Sequence, residues 1–167
     1  MRDFFDFPNP VNEVAARTVA AGVLIMSLVA LILRQHWLVV PLAFGFLARV
    51  STGPRLSPLG RVATQVVAPR LAPRAKLVAG PPKRFAQAIG AVISTTALVL
   101  WLSGAAPGAV DVLLGLLVVA SGLEAILAFC VGCQIFGVLM RVGLVPESVC
   151  AECADVWSRR GSAPSAS

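Results

Sequence analysis

The sequence predicts an all-α integral membrane protein: a four-helix bundle with an interfacial helix on its cytoplasmic side and a short C-terminal helix. Hydrophobic residues make up 57% of the 167 residues and charged residues only 13%, whereas charged residues reach ~25% in soluble domains. Three segments also approach or exceed the ~20 apolar residues that cross ~30 Å of hydrocarbon. Composition and segment length therefore both predict an integral membrane protein.

The predicted spans are residues 14–33, 37–50, 85–102 and 110–130. The second has only fourteen residues and contains Pro41. It crosses the membrane only if Arg49 snorkels to the interface or the bilayer thins, and a re-entrant hairpin is the alternative. We expect a single membrane domain over residues 1–158 and a small, polar, disordered tail over residues 159–167.

The charge pattern predicts the orientation. Between Val14 and Val110 there is no acidic residue, and eight basic residues crowd the connection between the second and third spans: Arg49, Arg55, Arg61, Arg70, Arg74, Lys76, Lys83 and Arg84. The positive-inside rule places this connection and both termini in the cytoplasm of a multi-pass plasma (inner) membrane protein. Membrane insertion accounts for the net charge of +6, and no nucleic-acid module accompanies it, so we expect no nucleic-acid partner.

The basic connection contains its own helix signal. Ser57 supplies an N-cap hydroxyl and Pro58 stands at the first helical position. One apolar stripe then follows at helical spacing: Leu59, Val62, Ala63, Val66 and Val67. This pattern has two interpretations, a helix lying flat on an anionic leaflet or a helix packed onto the base of the bundle.

The chain's four cysteines form two CxxC pairs, Cys130 with Cys133 and Cys150 with Cys153. The predicted span from Val110 covers about 30 Å in twenty residues at ~1.5 Å per residue, which places Cys130 at the cytoplasmic boundary. If this helix continues past the membrane, it carries one stripe of Cys130, Gln134, Gly137 and Arg141. A second helix is predicted from Pro146, and its apolar face would turn the second pair of thiols toward the base of the last span.

Three hypotheses compete for these thiols. Two CxxC pairs separated by sixteen residues fit a four-cysteine zinc site, and an iron-sulfur cluster is a less favoured variant. Each pair alone also fits a redox dithiol that exchanges disulfides with a partner. The third hypothesis makes them small buried residues on apolar helix faces. An apolar setting disfavours a reactive thiolate, while the apolar spacer lacks the turns common in zinc ribbons.

Two further polar residues are candidates. Glu124 is the only acidic residue deep within a span, which makes it a functional candidate by default. On a helical wheel Glu124 lies nearly opposite Cys133. In a purely structural role it would pair with Arg17 or form a hydrogen bond with the hydroxyl group of Ser94, Thr95 or Thr96. His36 stands in a short external turn with no second histidine or carboxylate beside it in sequence, so we expect an interfacial residue.

Four segments carry a resemblance to a known family: 53–61 (GPRLSPLGR), 82–90 (PKRFAQAIG), 129–133 (FCVGC) and 145–153 (VPESVCAEC). Over roughly Asn9 to Cys153 the chain resembles the bacterial membrane family catalogued as domain of unknown function 4395. The resemblance implies a four-helix membrane protein whose genes lie beside, or are fused to, thioredoxin-like and rhodanese-type sulfurtransferase proteins. It therefore implies thiol or sulfur traffic, with the lipid bilayer and such proteins as partners.

The sequence thus favours membrane-linked thiol redox or sulfur relay, with Cys130, Cys133, Cys150 and Cys153 as the catalytic thiols and no cofactor. The alternative from another class is a non-enzymatic membrane scaffold. In it the same four cysteines bind zinc and lock the C-terminal helix as a docking platform for a cytoplasmic partner.

Overall fold

The computed structural model describes residues 11–53, 55–71, 77–104 and 107–146. This part is helical apart from one antiparallel pair of two-residue strands, which the sequence did not predict. In chain order its elements are β1 Val11–Asn12, α1 Glu13–Ile32, a 3-10 turn His36–Leu38, α2 Val39–Thr52, α3 Pro58–Val62, a π-helical turn Ala63–Val67, α4 Ala68–Leu71, β2 Leu77–Val78, α5 Gly80–Ser103, α6 Pro107–Leu127 and α7 Val131–Arg141.

Three helices, α1, α5 and α6, are long and apolar enough to cross a membrane. They contain 20, 24 and 21 residues, and a rise of ~1.5 Å per residue makes each at least ~30 Å long. The prediction of a multi-pass helical membrane protein is confirmed at this level. Helix α2 has 14 residues, so its crossing of the membrane stays a prediction.

Helix α1 packs along α6, and α2 packs along α5, which also contacts α6. Their shared core includes Val23, Leu42, Phe46 and Leu114, each at most 7% exposed. Gly90 is required for the contact between α2 and α5, because a Cβ atom at this position would lie 2.2 Å from the Phe46 ring. The close approach of these two helices therefore depends on the absence of a side chain at residue 90.

Polar contacts join α1 to α6 at both ends and show that the two helices are antiparallel. Arg17, near the start of α1, donates to the carbonyl oxygens of Ala125 and Ile126 at the end of α6, at 3.0–3.2 Å. A cation suits the negative end of a helix dipole. We call this end, which also carries Lys83 in the first turn of α5, the basic end of the molecule.

At the opposite end, Asp111 near the start of α6 accepts from Arg34 at 2.5 Å and lies 2.9 Å from His36 Nε2. The sequence showed no carboxylate beside His36. In the structure the carboxylate beside His36 belongs to Asp111, which lies 75 residues further along the chain. His36 therefore has a partner in the fold that its neighbours in sequence do not reveal.

The predicted cap at Ser57 is confirmed, since its Oγ accepts from the backbone N–H of Gly60 at 3.3 Å. The predicted apolar stripe divides between two environments. Ala63 is fully buried in a cluster with Ala15 and Val19 of α1, while Val62 and Val66 are 50% and 41% exposed. Residues 58–71 thus pack on α1, as the second interpretation of this helix expected, and contact with a leaflet stays a prediction.

The predicted C-terminal helix with Cys150 and Cys153, and the predicted tail over 159–167, lie outside the described residues.

Candidate redox site and the adjoining cavity

The site lies where α6 ends and α7 begins, at the basic end. Helix α6 stops at Leu127, Ala128 takes a left-handed conformation with φ of 54°, and Cys130 becomes the N-cap of α7. The prediction of one helix running through Cys130 is therefore wrong, and Gln134, Gly137 and Arg141 belong to a separate helix. No proline or glycine stands at 128–130 to mark the break in the sequence, and beyond it α7 contacts α5.

Those contacts are close. A Cβ atom at Gly132 would lie 2.6 Å from the Cα and Cβ atoms of Ala86, so only glycine lets α7 approach the α5 backbone here. One turn further along, the rings of Phe136 and Phe85 pack with their centroids 5.6 Å apart. By contrast, a Cβ atom at Gly137 would meet nothing within 4 Å. Of the two glycines in α7, only Gly132 serves close packing.

Cys130 and Cys133 form a disulfide, with 5.2 Å between their Cα atoms, a separation that disulfide geometry accommodates. The backbone N–H of Cys133 donates to Cys130 Sγ at 3.3 Å. Cys130 is 8% exposed, whereas Cys133 is only half-buried. Within the described ranges there is no free cysteine, and no group of three or more residues suited to binding a metal.

The position of Cys130 has a chemical consequence. The start of a helix carries unpaired N–H groups and the positive end of the dipole, both of which favour negative charge on a nearby sulfur. A CxxC pair placed at such a position is the arrangement used by disulfide oxidoreductases. The local structure therefore suits a dithiol that is oxidised and reduced, as the redox hypothesis requires.

A cavity of about 230 Å³ adjoins the disulfide. Helices α1, α2, α5, α6 and α7 all contribute to its wall, which is mainly apolar and includes Val19, Val23, Phe46, Ile89, Leu117 and Ile135. Cys130 lines the cavity, and Cys133 is not among the lining residues. The two sulfurs of one disulfide therefore have different surroundings.

Glu124 also lines this cavity. Its carboxylate pairs with the ammonium of Lys83, and the two side chains are 15% and 12% exposed. The expected partner, Arg17, instead binds the carbonyl groups at the end of α6. The helical wheel placed Glu124 opposite Cys133 because it assumed one continuous helix. Helix α6 ends at Leu127, between the two residues, so that placement does not hold.

Arg49 is buried rather than snorkelling to an interface, with 5% exposure. Its Nε donates to Gln87 Oε1 at 2.9 Å, and its terminal nitrogen donates to Ser57 Oγ at 3.0 Å. Its guanidinium carbon lies 4.6 Å from the centroid of the Phe46 ring. Gln87 lines the cavity, and the sequence does not identify it as a site residue. Nothing in the sequence shows that the buried Arg49 orients the Gln87 amide.

The fold and site define a multi-pass helical membrane protein with a CxxC disulfide beside an internal cavity at its basic end. The chain belongs to the family described as domain of unknown function (DUF4395), which matches residues 11–141. The resemblance drawn from the sequence is confirmed over this range, which contains Cys130 and Cys133 and ends before Cys150. No curated protein and no solved structure matches the chain.

Proposed function

We propose that this protein performs membrane-linked thiol redox chemistry, in which Cys130 and Cys133 alternate between a dithiol and a disulfide. The observation that supports this most is the disulfide at the N-cap of α7, beside the cavity. The proposal includes the full four-helix bundle, with α2 as a crossing helix, set in the plasma membrane.

Cys133 is the thiol that exchanges with a partner, because it is the more exposed of the two and lies off the cavity wall. A thiolate of a thioredoxin-like or rhodanese-type partner attacks Cys133 Sγ, which forms a mixed disulfide and releases the Cys130 thiolate. The partner's second thiolate then breaks the mixed disulfide, so the pair is reduced and the partner is oxidised by two electrons. Cys150 and Cys153 are proposed as the second pair of the relay.

The zinc scaffold is the competing proposal. A closed zinc site needs all four sulfurs as thiolates at the same time. A disulfide between Cys130 and Cys133 withdraws two of them, so this bond favours the redox proposal. The two proposals differ in metal content and in thiol reactivity, both of which are measurable.

The first test traps the exchange. With Cys130 replaced by Ser, the remaining Cys133 thiolate is expected to form a mixed disulfide with an added thioredoxin-like protein whose resolving cysteine has been removed and whose attacking cysteine carries a thionitrobenzoate disulfide. Cys133 attacks that disulfide and thionitrobenzoate leaves, so no further oxidant is needed. With Cys133 replaced by Ser, the buried Cys130 is expected to give much less adduct. Non-reducing electrophoresis followed by peptide mapping measures both. Equal trapping by the two variants would contradict the assigned roles, and no adduct from either would contradict the exchange.

The proposed orientation puts the basic end in the cytoplasm, because basic connections stay inside. A membrane-impermeant thiol reagent added to intact cells is expected to label Gly108→Cys and to leave Ser51→Cys unlabelled. Both residues are exposed, and a Cβ atom at Gly108 meets nothing within 4 Å, so the substitution there is mild. The unsubstituted protein serves as the control for the native cysteines. Labelling of Ser51→Cys alone would reverse the orientation.

A further inference from the structure

The cavity beside Cys130 is suited to a ligand from the bilayer. Two of its lining residues, Leu116 of α6 and Ile135 of α7, are 51% and 42% exposed on the outer surfaces of their helices. Since α6 is long and apolar enough to cross a membrane, the cavity wall extends to a surface that lipid covers. A membrane-dissolved molecule therefore has a short path to the disulfide.

The size of the cavity limits what can enter. Its 230 Å³ falls below the ~300–1,000 Å³ that encloses a drug-sized ligand. One ring fits, and any long apolar tail would stay among the lipids. Small residues on three helices, Ala20, Ala86 and Ala120, leave this space open.

The polar groups of the cavity wall limit the chemical class of ligand that the cavity can bind. Glu124 is paired with Lys83, and the Ser121 hydroxyl donates to the Leu117 carbonyl oxygen at 2.5 Å. Gln87 differs, because Arg49 can only donate and therefore fixes the amide with Oε1 toward the guanidinium. The Gln87 NH₂ group has no acceptor among the residues that the structure describes. The wall therefore offers a donor to a ring that carries an acceptor oxygen.

We propose that this cavity binds the ring of a membrane-soluble quinone, which re-oxidises Cys130 and Cys133. This inference rests on the proposed redox function and names its second substrate. Two S–H bonds break and one S–S bond forms, while two electrons and two protons pass to the quinone. Its two carbonyl oxygens become hydroxyl groups, so the step balances without another reactant. Gln87 binds one carbonyl, and Cys130 is the sulfur that lies beside the ring.

The test uses the full chain, reduced and reconstituted in lipid nanodiscs, with a decyl-substituted benzoquinone as the probe. Quinone absorbance and disulfide formation are followed together. Ala120→Phe fills the cavity and is expected to slow oxidation by the quinone about 100-fold, the factor that a displacement of ~1 Å can cost. The matched control is Val119→Phe on the same helix, which is 62% exposed and not a lining residue, and it is expected to react at the unsubstituted rate.

A second variant keeps the proposal testable if Ala120→Phe does not fold. Gln87→Glu keeps an oxygen for Arg49 and removes the amide donor. We expect it to slow the quinone reaction about tenfold, the loss typical of one hydrogen bond. Oxidation of every variant by oxidised glutathione in water is expected to stay unchanged. Cys133 attacks the glutathione disulfide and releases one glutathione, Cys130 then displaces the second, and neither step uses the Gln87 amide or a ring in the cavity.

Equal quinone rates in the unsubstituted protein and in the folded cavity variants would overturn the quinone site, as would no reaction of the unsubstituted protein with the quinone. In either case, continued exchange with glutathione would leave the proposed redox function intact. Loss of exchange with both oxidants would instead contradict the redox function itself.

Discussion

Replacement of Lys83 by Met is expected to lower the free energy of unfolding by about 3–5 kcal/mol, the usual cost of breaking a buried ion pair from one side. Both side chains of the pair are buried: Lys83 is 12% exposed and Glu124 is 15% exposed. The variant leaves the Glu124 carboxylate without its cation in the cavity wall. Chemical unfolding in one fixed detergent measures the change.

The double variant Lys83→Met with Glu124→Leu is the decisive comparison. Removing both charges at once leaves nothing unpaired, so we expect it to recover most of the lost stability. Arg84→Met is a matched control at the neighbouring position, which is exposed and donates to the Val50 carbonyl oxygen at 3.2 Å. A double variant as unstable as Lys83→Met alone would show that the pair does not explain the loss.

The Gly132→Ala substitution is expected to destabilise the protein by about 1–3 kcal/mol, the cost of overpacking a tight contact. The new methyl group would lie 2.6 Å from the Ala86 Cα atom, and a backbone atom cannot rotate away from it. Helix α7 must therefore move from α5, which displaces Cys130 from the cavity wall. We expect dithiothreitol to reduce the Cys130–Cys133 disulfide faster in this variant.

Gly137→Ala on the same helix supplies the control. Nothing lies within 4 Å of its new Cβ atom, so helix propensity alone predicts a gain of about 0.5–1 kcal/mol. The disulfide should be reduced at the unsubstituted rate. The same direction of change for both alanine variants would contradict the assigned role of Gly132.

The sequence was sufficient for the features that local chemistry determines. Apolar length predicted α1, α5 and α6, and an N-cap hydroxyl before proline predicted the start of α3 at Pro58. The two CxxC pairs predicted that all four thiols act together, and this stays a prediction; the structure places a disulfide between Cys130 and Cys133. Each of these features depends on residues that are adjacent or a few positions apart.

The errors arose where distant residues decide the structure. Helix α6 ends before Cys130, and the helix that follows packs on α5 where Gly132 meets Ala86; no local pattern in 128–130 encodes this contact. The same is true of Glu124, whose partner Lys83 lies 41 residues away. Arg49 is buried because the fold supplies Gln87 and Ser57 as acceptors. The cavity is a product of all these contacts, so sequence periodicity alone could not reveal it.

The most direct test of the redox account combines metal analysis with thiol counting on protein purified without chelator. The account predicts little bound metal and a Cys130–Cys133 disulfide by peptide mapping, with both thiols becoming reactive after mild reduction. A zinc site predicts about one metal per chain and thiols that react only after the metal is removed. Stoichiometric zinc with all four cysteines protected would contradict the central claim.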